Sequence, residues 1–220
     1  MVVRFSPWLW EEQIKPTARE SISTDQLSIL LATSGATIVA RQYDSDIRVE
    51  YGNHGRMPTE ISRFGDFAGS GYPGAALAFS LLVWDQREGL AMARSLIFTA
   101  VSHRTIATIV NRQRPNNGPY SFPSGHTSTS FATAGSLAYS YGPWVGVPAL
   151  MVATFVGASR VADNAHWFSD TVAAAGLGLF WARASYLASL NSGSAEQAWS
   201  DGISPGIVPG GFTLNLSRAF

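Results

Sequence analysis

Cysteine is absent from the chain, which excludes disulfides and thiolate metal sites. Lysine is nearly absent, Lys15 being the only one. Charged residues make up 14% of the 220 positions and the formal net charge is zero. A soluble domain usually carries roughly a quarter charged residues, so these helices are deeply buried or touch lipid. Neutrality argues against a broad basic face and therefore against a nucleic-acid partner. The start "MVVRFSPWLWEEQIKPTARE" lacks the basic end, apolar run and small-residue cleavage site of a signal peptide. The expectation is a cytoplasmic protein or a trimmed mature form.

Long apolar runs are also scarce. Residues 127–141 and 144–159 are uncharged but fall short of the roughly 20 residues a spanning helix needs, and Gly142-Pro143 separates them. Residues 92–110 are interrupted by Arg94, His103 and Arg104. These lengths favour a compact soluble or peripherally attached body over an integral membrane protein.

What is present is helical patterning. "STDQLSILLATSGATIVA" opens on capping residues and runs apolar to Ala40. Residues 41–58 are polar and read as a loop. A short helix follows, then helices over about 75–84, 90–110, 126–141, 144–159 and 167–190. Residues 111–125 hold three prolines and two glycines and read as a loop. The predicted architecture is all-α, a single bundle of about six helices. Residues 1–190 form the helical domain and 191–220 a Gly/Pro-rich, irregular tail. In that tail Phe212, Leu214 and Leu216 alternate, which suits a packed tail or short ribbon; one strand cannot close a barrel.

Between Glu88 and Asp163 there is no acidic residue, yet the same stretch carries Arg94, Arg104, Arg112, Arg114, Arg160, His103 and His126. A buried helical core excludes acids, and arginines snorkel from helix ends, so the pattern has a purely structural reading. Two of these arginines, however, sit beside loop breakers in "RQRPNNGPYSFPSGH". Arginine forks bind phosphate oxygens bidentately, and the helix start at Ser124-Gly125-His126 offers unpaired N–H groups. In "SRVADNAHWFSD", His166 and Asp170 are four apart and share a helix face. A carboxylate there can fix the imidazole tautomer and free the other nitrogen as nucleophile or base. The spacing of His126, His166 and Asp170 matches no zinc motif, and the arginines would repel a cation.

Taken together, Arg114-Pro115, Pro123-Ser124-Gly125-His126 and Ser159-Arg160-x5-His166-x3-Asp170 resemble the type 2 phosphatidic-acid phosphatase superfamily. That superfamily also includes bacterial acid phosphatases and vanadium haloperoxidases. The resemblance covers about residues 107 to 170. It implies an acid phosphatase/vanadium haloperoxidase-like helical core and metal-independent hydrolysis of phosphate esters through a phosphohistidine. By the same resemblance His166 is the nucleophile, Asp170 its orienting partner and His126 the proton donor. Arg114, Ser124, Gly125 and Arg160 hold the phosphate. No cofactor is implied; vanadate is expected as an inhibitor or, in a haloperoxidase, as the cofactor. The implied partners are a phosphorylated lipid or small phosphoester and a membrane surface, in the cell envelope, periplasmic or peripheral to a membrane.

One position departs from the family pattern. The motif lysine falls at Ala107. Arg104, one helical turn earlier, is the expected substitute, and Arg112 the second candidate. The alternatives are a vanadium haloperoxidase-like enzyme and a catalytically impaired member that binds phosphate or lipid.

Overall fold

The computed structural model describes residues 5–54, 57–191, 203–208 and 211–216. A first helical stretch consists of α1 (Phe5–Trp8), a π-helical turn (Leu9–Ile14) and α2 (Lys15–Ser21). Then follow α3 (Thr24–Arg41), α4 (Asp44–His54), α5 (Thr59–Gly69) and α6 (Tyr72–Trp84). The remaining helices are α7 (Gln86–Val110), α8 (Gly125–Tyr141), α9 (Pro143–Ala162) and α10 (Phe168–Asn191). The body is all-α, as the patterning predicts, but it contains more helical segments than the bundle of about six expected from periodicity.

Two differences have clear causes. Residues 41–58 read as a loop because they lack an apolar stripe, yet most of them form α4. Tertiary contacts hold that helix: buried Asp44 accepts hydrogen bonds from the backbone N–H (2.9 Å) and hydroxyl (2.7 Å) of Ser169, and from Arg112 (2.7 Å). The tail is not irregular throughout. β1 (Ile203–Val208) pairs antiparallel with β2 (Gly211–Leu216) in a two-stranded ribbon, Ile203 opposite Leu216 and Val208 opposite Gly211. The alternation of Phe212, Leu214 and Leu216 is the period of a strand.

Helix α10 is the centre of the bundle, packed against α3, α7, α8 and α2. Its inner face is small: Ala173, Ala174, Gly176, Gly178, Ala182, Ala184, Ser185 and Ala188 are buried. Small residues let helix backbones approach closely. At Gly135 of α8 a Cβ would stand 2.8 Å from that of Ala182, so only glycine permits this crossing. Across the described residues every buried hydrophobic side chain is alanine except Met92, Val156, Val161 and Phe180.

The large apolar side chains lie outside. Leu31, Ile38, Phe79, Trp84, Ile97, Ile109, Trp144 (92% exposed) and Met151 all face away from the interior. By length and composition α9 is apolar enough to cross a membrane, and α5 with α6 would make a second span if their 43° bend is one broken crossing. Of the N-terminal aromatics, Trp8 is half-buried and Trp10 is exposed; the Phe5 side chain lies outside the described residues.

The helices are arranged so that the α7–α8 loop and the α9–α10 turn meet at one end. Trp167 Nε1 donates to the Gln113 carbonyl (2.7 Å), and the Ser124 N–H donates to the Asp170 carbonyl (3.2 Å). Asp44 clamps this end from α4. Replacing Asp44 with alanine leaves Arg112 and Ser169 short of a buried partner. The expected loss is about 3 kcal/mol or more of stability, read as a lower midpoint of thermal unfolding in detergent.

Candidate active site

His166 is placed by the turn that ends α9. The Arg160 carbonyl accepts the N–H groups of both Ala165 (3.0 Å) and His166 (3.2 Å), while Asn164 adopts φ +54°. Asparagine tolerates that left-handed conformation better than most residues. The His166 ring is buried, with Nδ1 2.7 Å from the Ser121 carbonyl oxygen. A carbonyl only accepts, so Nδ1 carries the proton and the neutral ring leaves Nε2 with its lone pair.

Asp170 stands one step further back than its spacing suggests. Its Oδ2 is 3.8 Å from His166 Nδ1, beyond hydrogen-bond reach. That oxygen accepts from the Ser121 hydroxyl and the Trp167 N–H (2.9 Å), and Oδ1 accepts from Arg112 (2.6 Å). Asp170 therefore fixes the Ser121 segment whose carbonyl orients His166. Arg112 also donates to Asp44 and to the Ser169 hydroxyl, and lies over the Trp167 ring at 5.2 Å. It is a girder of this end of the bundle, with its guanidinium taken up by carboxylates.

Ser124 caps α8. Its Oγ accepts from the Thr127 N–H (3.4 Å) and the Thr127 hydroxyl (2.9 Å), and the residue is fully buried. Its own O–H stays available as a donor. Gly125 and His126 begin the helix, where backbone N–H groups lack intrahelical partners. His126 is half-buried, its Nε2 3.7 Å from Asp66 of α5. Gly69 lets α5 approach: a Cβ there would be 2.7 Å from that of His126.

The arginines divide into bound and free. Arg160 is buried and donates to Asp66, to Asp163 (3.1 Å) and to the Ser62 carbonyl (3.2 Å). Arg114 donates through Nε to the Pro119 carbonyl (3.0 Å). Among the described residues its two terminal nitrogens make no hydrogen bond, which leaves the fork open to an anion. Arg104 is exposed on α7, and no hydrogen bond or ion pair joins its side chain to the site among the described residues.

Sequence reasoning passed over Ser121, Asp44, Asp66 and His103. Asp44 and Asp66 come from helices far upstream, and nothing local to either marks it as a site residue. Asp66 partly neutralises Arg160. Its replacement by asparagine is expected to tighten inhibition by inorganic phosphate about three- to tenfold, measured as Ki.

His166, His126, Arg114 and the N-terminus of α8 gather at this end of the bundle, the two histidines and Arg114 within electrostatic range of His103 beside Gly125, and such groups are the ingredients of an anion site. Residues 88–194, just under half of the chain, match the family model described as the PAP2 superfamily, which places this part of the chain in that superfamily. A lipid A 1-phosphatase from Porphyromonas gingivalis is 32% identical over 115 residues, 50% of this chain. The match takes in only 24% of that relative's length. Among solved structures, Aquifex aeolicus LpxE superposes with a TM-score of 0.58 at 22% identity, covering 64% of this chain and 93% of that one. A transmembrane PAP2-type phosphatidylglycerolphosphate phosphatase from Bacillus subtilis gives 0.56 at 19% identity, covering 71% and 91%. These two likenesses show the fold.

Proposed function

We propose that the protein is a phosphatase that hydrolyses the phosphate ester of a membrane lipid through a phosphohistidine. The observation that carries this reading is His166, tautomer-locked by the Ser121 carbonyl with Nε2 free. In the first step Nε2 attacks phosphorus, the P–N bond forms and the ester P–O bond breaks. His126 gives its proton to the departing alkoxide. In the second step water attacks phosphorus, the P–N bond breaks and His126 takes the proton. Inorganic phosphate leaves and His166 is restored. Arg114, the Ser124 hydroxyl and the Gly125 N–H hold the non-bridging oxygens, with Arg160 behind them at Asp66.

Two features support a lipid substrate. The bundle is inverted relative to a water-soluble one, with alanine inside and Leu, Ile, Phe and Trp outside. Such a surface suits hydrocarbon, and we read the helical body as embedded in a bilayer with the site at one end. Exposed side chains, more than run length, favour this over the peripheral attachment expected from the sequence. A mainly apolar groove, lined by Leu30, Ile38, Ile106, Phe122 and Leu177 with Thr33, Ser34 and Thr37 among them, also reaches Pro123 of the α7–α8 loop, and we read it as the seat of an acyl chain. The names of the relatives suggest lipid A or phosphatidylglycerolphosphate as first substrates to try.

The test is phosphate release from these lipids in mixed micelles, against a soluble phosphomonoester. Faster release from the lipids is expected. Equal rates on both would overturn the lipid assignment. For the location, membranes washed with alkaline carbonate are expected to retain the protein, and detergent to release it.

A further inference from the structure

Position 107 on α7 faces the buried interior as alanine, with 2% exposure. One turn earlier on the same helix face is His103. Its ring packs directly on the first residue of α8: a Cβ added to Gly125 would stand 2.8 Å from His103 Cε1 and 2.9 Å from Nε2. The same ring lies within electrostatic range of His166, its chain neighbour Arg104, His126 and Arg114. Of the charged side chains expected from the sequence to serve here, two are engaged by carboxylates and one points away. Arg112 is held by Asp44 and Asp170, and Arg160 by Asp66 and Asp163. Arg104 lies on the exposed side of α7.

We propose that His103 contacts the phosphoryl group in this site, giving from α7 a hydrogen-bond donor where position 107 gives none. The proposal rests on the phosphatase reading and adds a residue to it. Small Ala107 and Gly125 make the space, and the imidazole, shorter than a lysine, reaches the loop from one turn back. One ring N–H donates to a non-bridging oxygen whose other partners are Arg114 and the Gly125 N–H. Neutral imidazole suffices, since either tautomer carries one donor.

The experiment compares wild type, His103→Ala, His103→Gln and the double variant His103→Ala/Ala107→Lys. It measures kcat, KM and the affinity for inorganic vanadate, a pentavalent mimic of the transferring phosphoryl group. His103→Ala is expected to lose about a hundredfold in kcat/KM, with a parallel loss of vanadate affinity. His103→Gln, which keeps a donor, recovers part of the loss, and the double variant recovers most of it. A His103→Ala protein within twofold of wild type in both quantities overturns the proposal. So does a loss that the double variant and His103→Gln leave unchanged.

Should His103→Ala fail to fold, wild-type protein answers the question through carbethoxylation mapped by mass spectrometry. Protection of His103 by vanadate supports the contact, and equal modification with and without vanadate overturns it. A wild-type protein that shows this protection but releases no phosphate from any ester sinks the phosphatase reading and leaves the anion contact standing. One that binds neither vanadate nor phosphate overturns both.

Discussion

Replacing His166 with alanine is expected to lower phosphate release by on the order of 10⁴-fold or more, because the atom that forms the covalent bond is gone. The protein should still fold. The ring donates one hydrogen bond to the Ser121 carbonyl, and the Ser121 segment keeps its tie through the side chains of Ser121 and Asp170. The decisive readout is chemical. Wild type incubated with radiolabelled substrate and quenched in alkaline detergent should carry an alkali-stable, acid-labile phosphoryl group, and His166→Ala should carry none. A variant that labels or turns over like wild type would end the phosphohistidine mechanism. Asp170→Asn acts at one remove, through Ser121 and Arg112, so its effect should show in both activity and thermal stability.

The second large effect belongs to His126. Alanine there removes the proton donor for the leaving alkoxide and the base for the attacking water, at a cost of about 10²- to 10⁴-fold. The cost depends on the leaving group. An alkyl or glycosyl oxygen, with a very basic alkoxide, should suffer the full loss. A 4-nitrophenolate leaves without help, so His126→Ala should form the phosphoenzyme from 4-nitrophenyl phosphate at nearly the wild-type rate and then accumulate it. Burst kinetics with trapped phosphoenzyme is the expected signature. Equal losses on alkyl and nitrophenyl esters would show that His126 binds the phosphate and transfers no proton.

Some of this site is legible one residue at a time. Pro123-Ser124-Gly125-His126 announces a capped helix with a free amide end, and Ser124 does cap α8. The four-residue step from His166 to Asp170 does bring the two within 3.8 Å of each other, but only Asp170 is on α10; His166 sits in the turn that precedes it, so they do not share a helix face. The step does not reveal that the Ser121 carbonyl intervenes, because that contact depends on how the α7–α8 loop folds over the α9–α10 turn. Arg112 and Arg114 look alike in "RQRP", but the first is enclosed by Asp44 and Asp170 and the second keeps an open fork. A choice between Arg104 and His103 as the α7 contact turns on about 100° of helical rotation, which one missing lysine cannot specify.

The helical class, the candidate histidines, the cap at Ser124 and the want of a lysine at position 107 can all be read along the chain. These are local matters: capping chemistry, 3.6-residue periodicity and the spacing of a few side chains. Tertiary structure decided the rest. It folded a polar stretch into α4 because Asp44 found Ser169 and Arg112, and it turned the small residues inward and the large apolar ones outward. It committed Arg160 to Asp66 and set His103 against Gly125. Each of those outcomes joins residues far apart in the chain. Their energies arise only when the helices pack, so no window of sequence contains them.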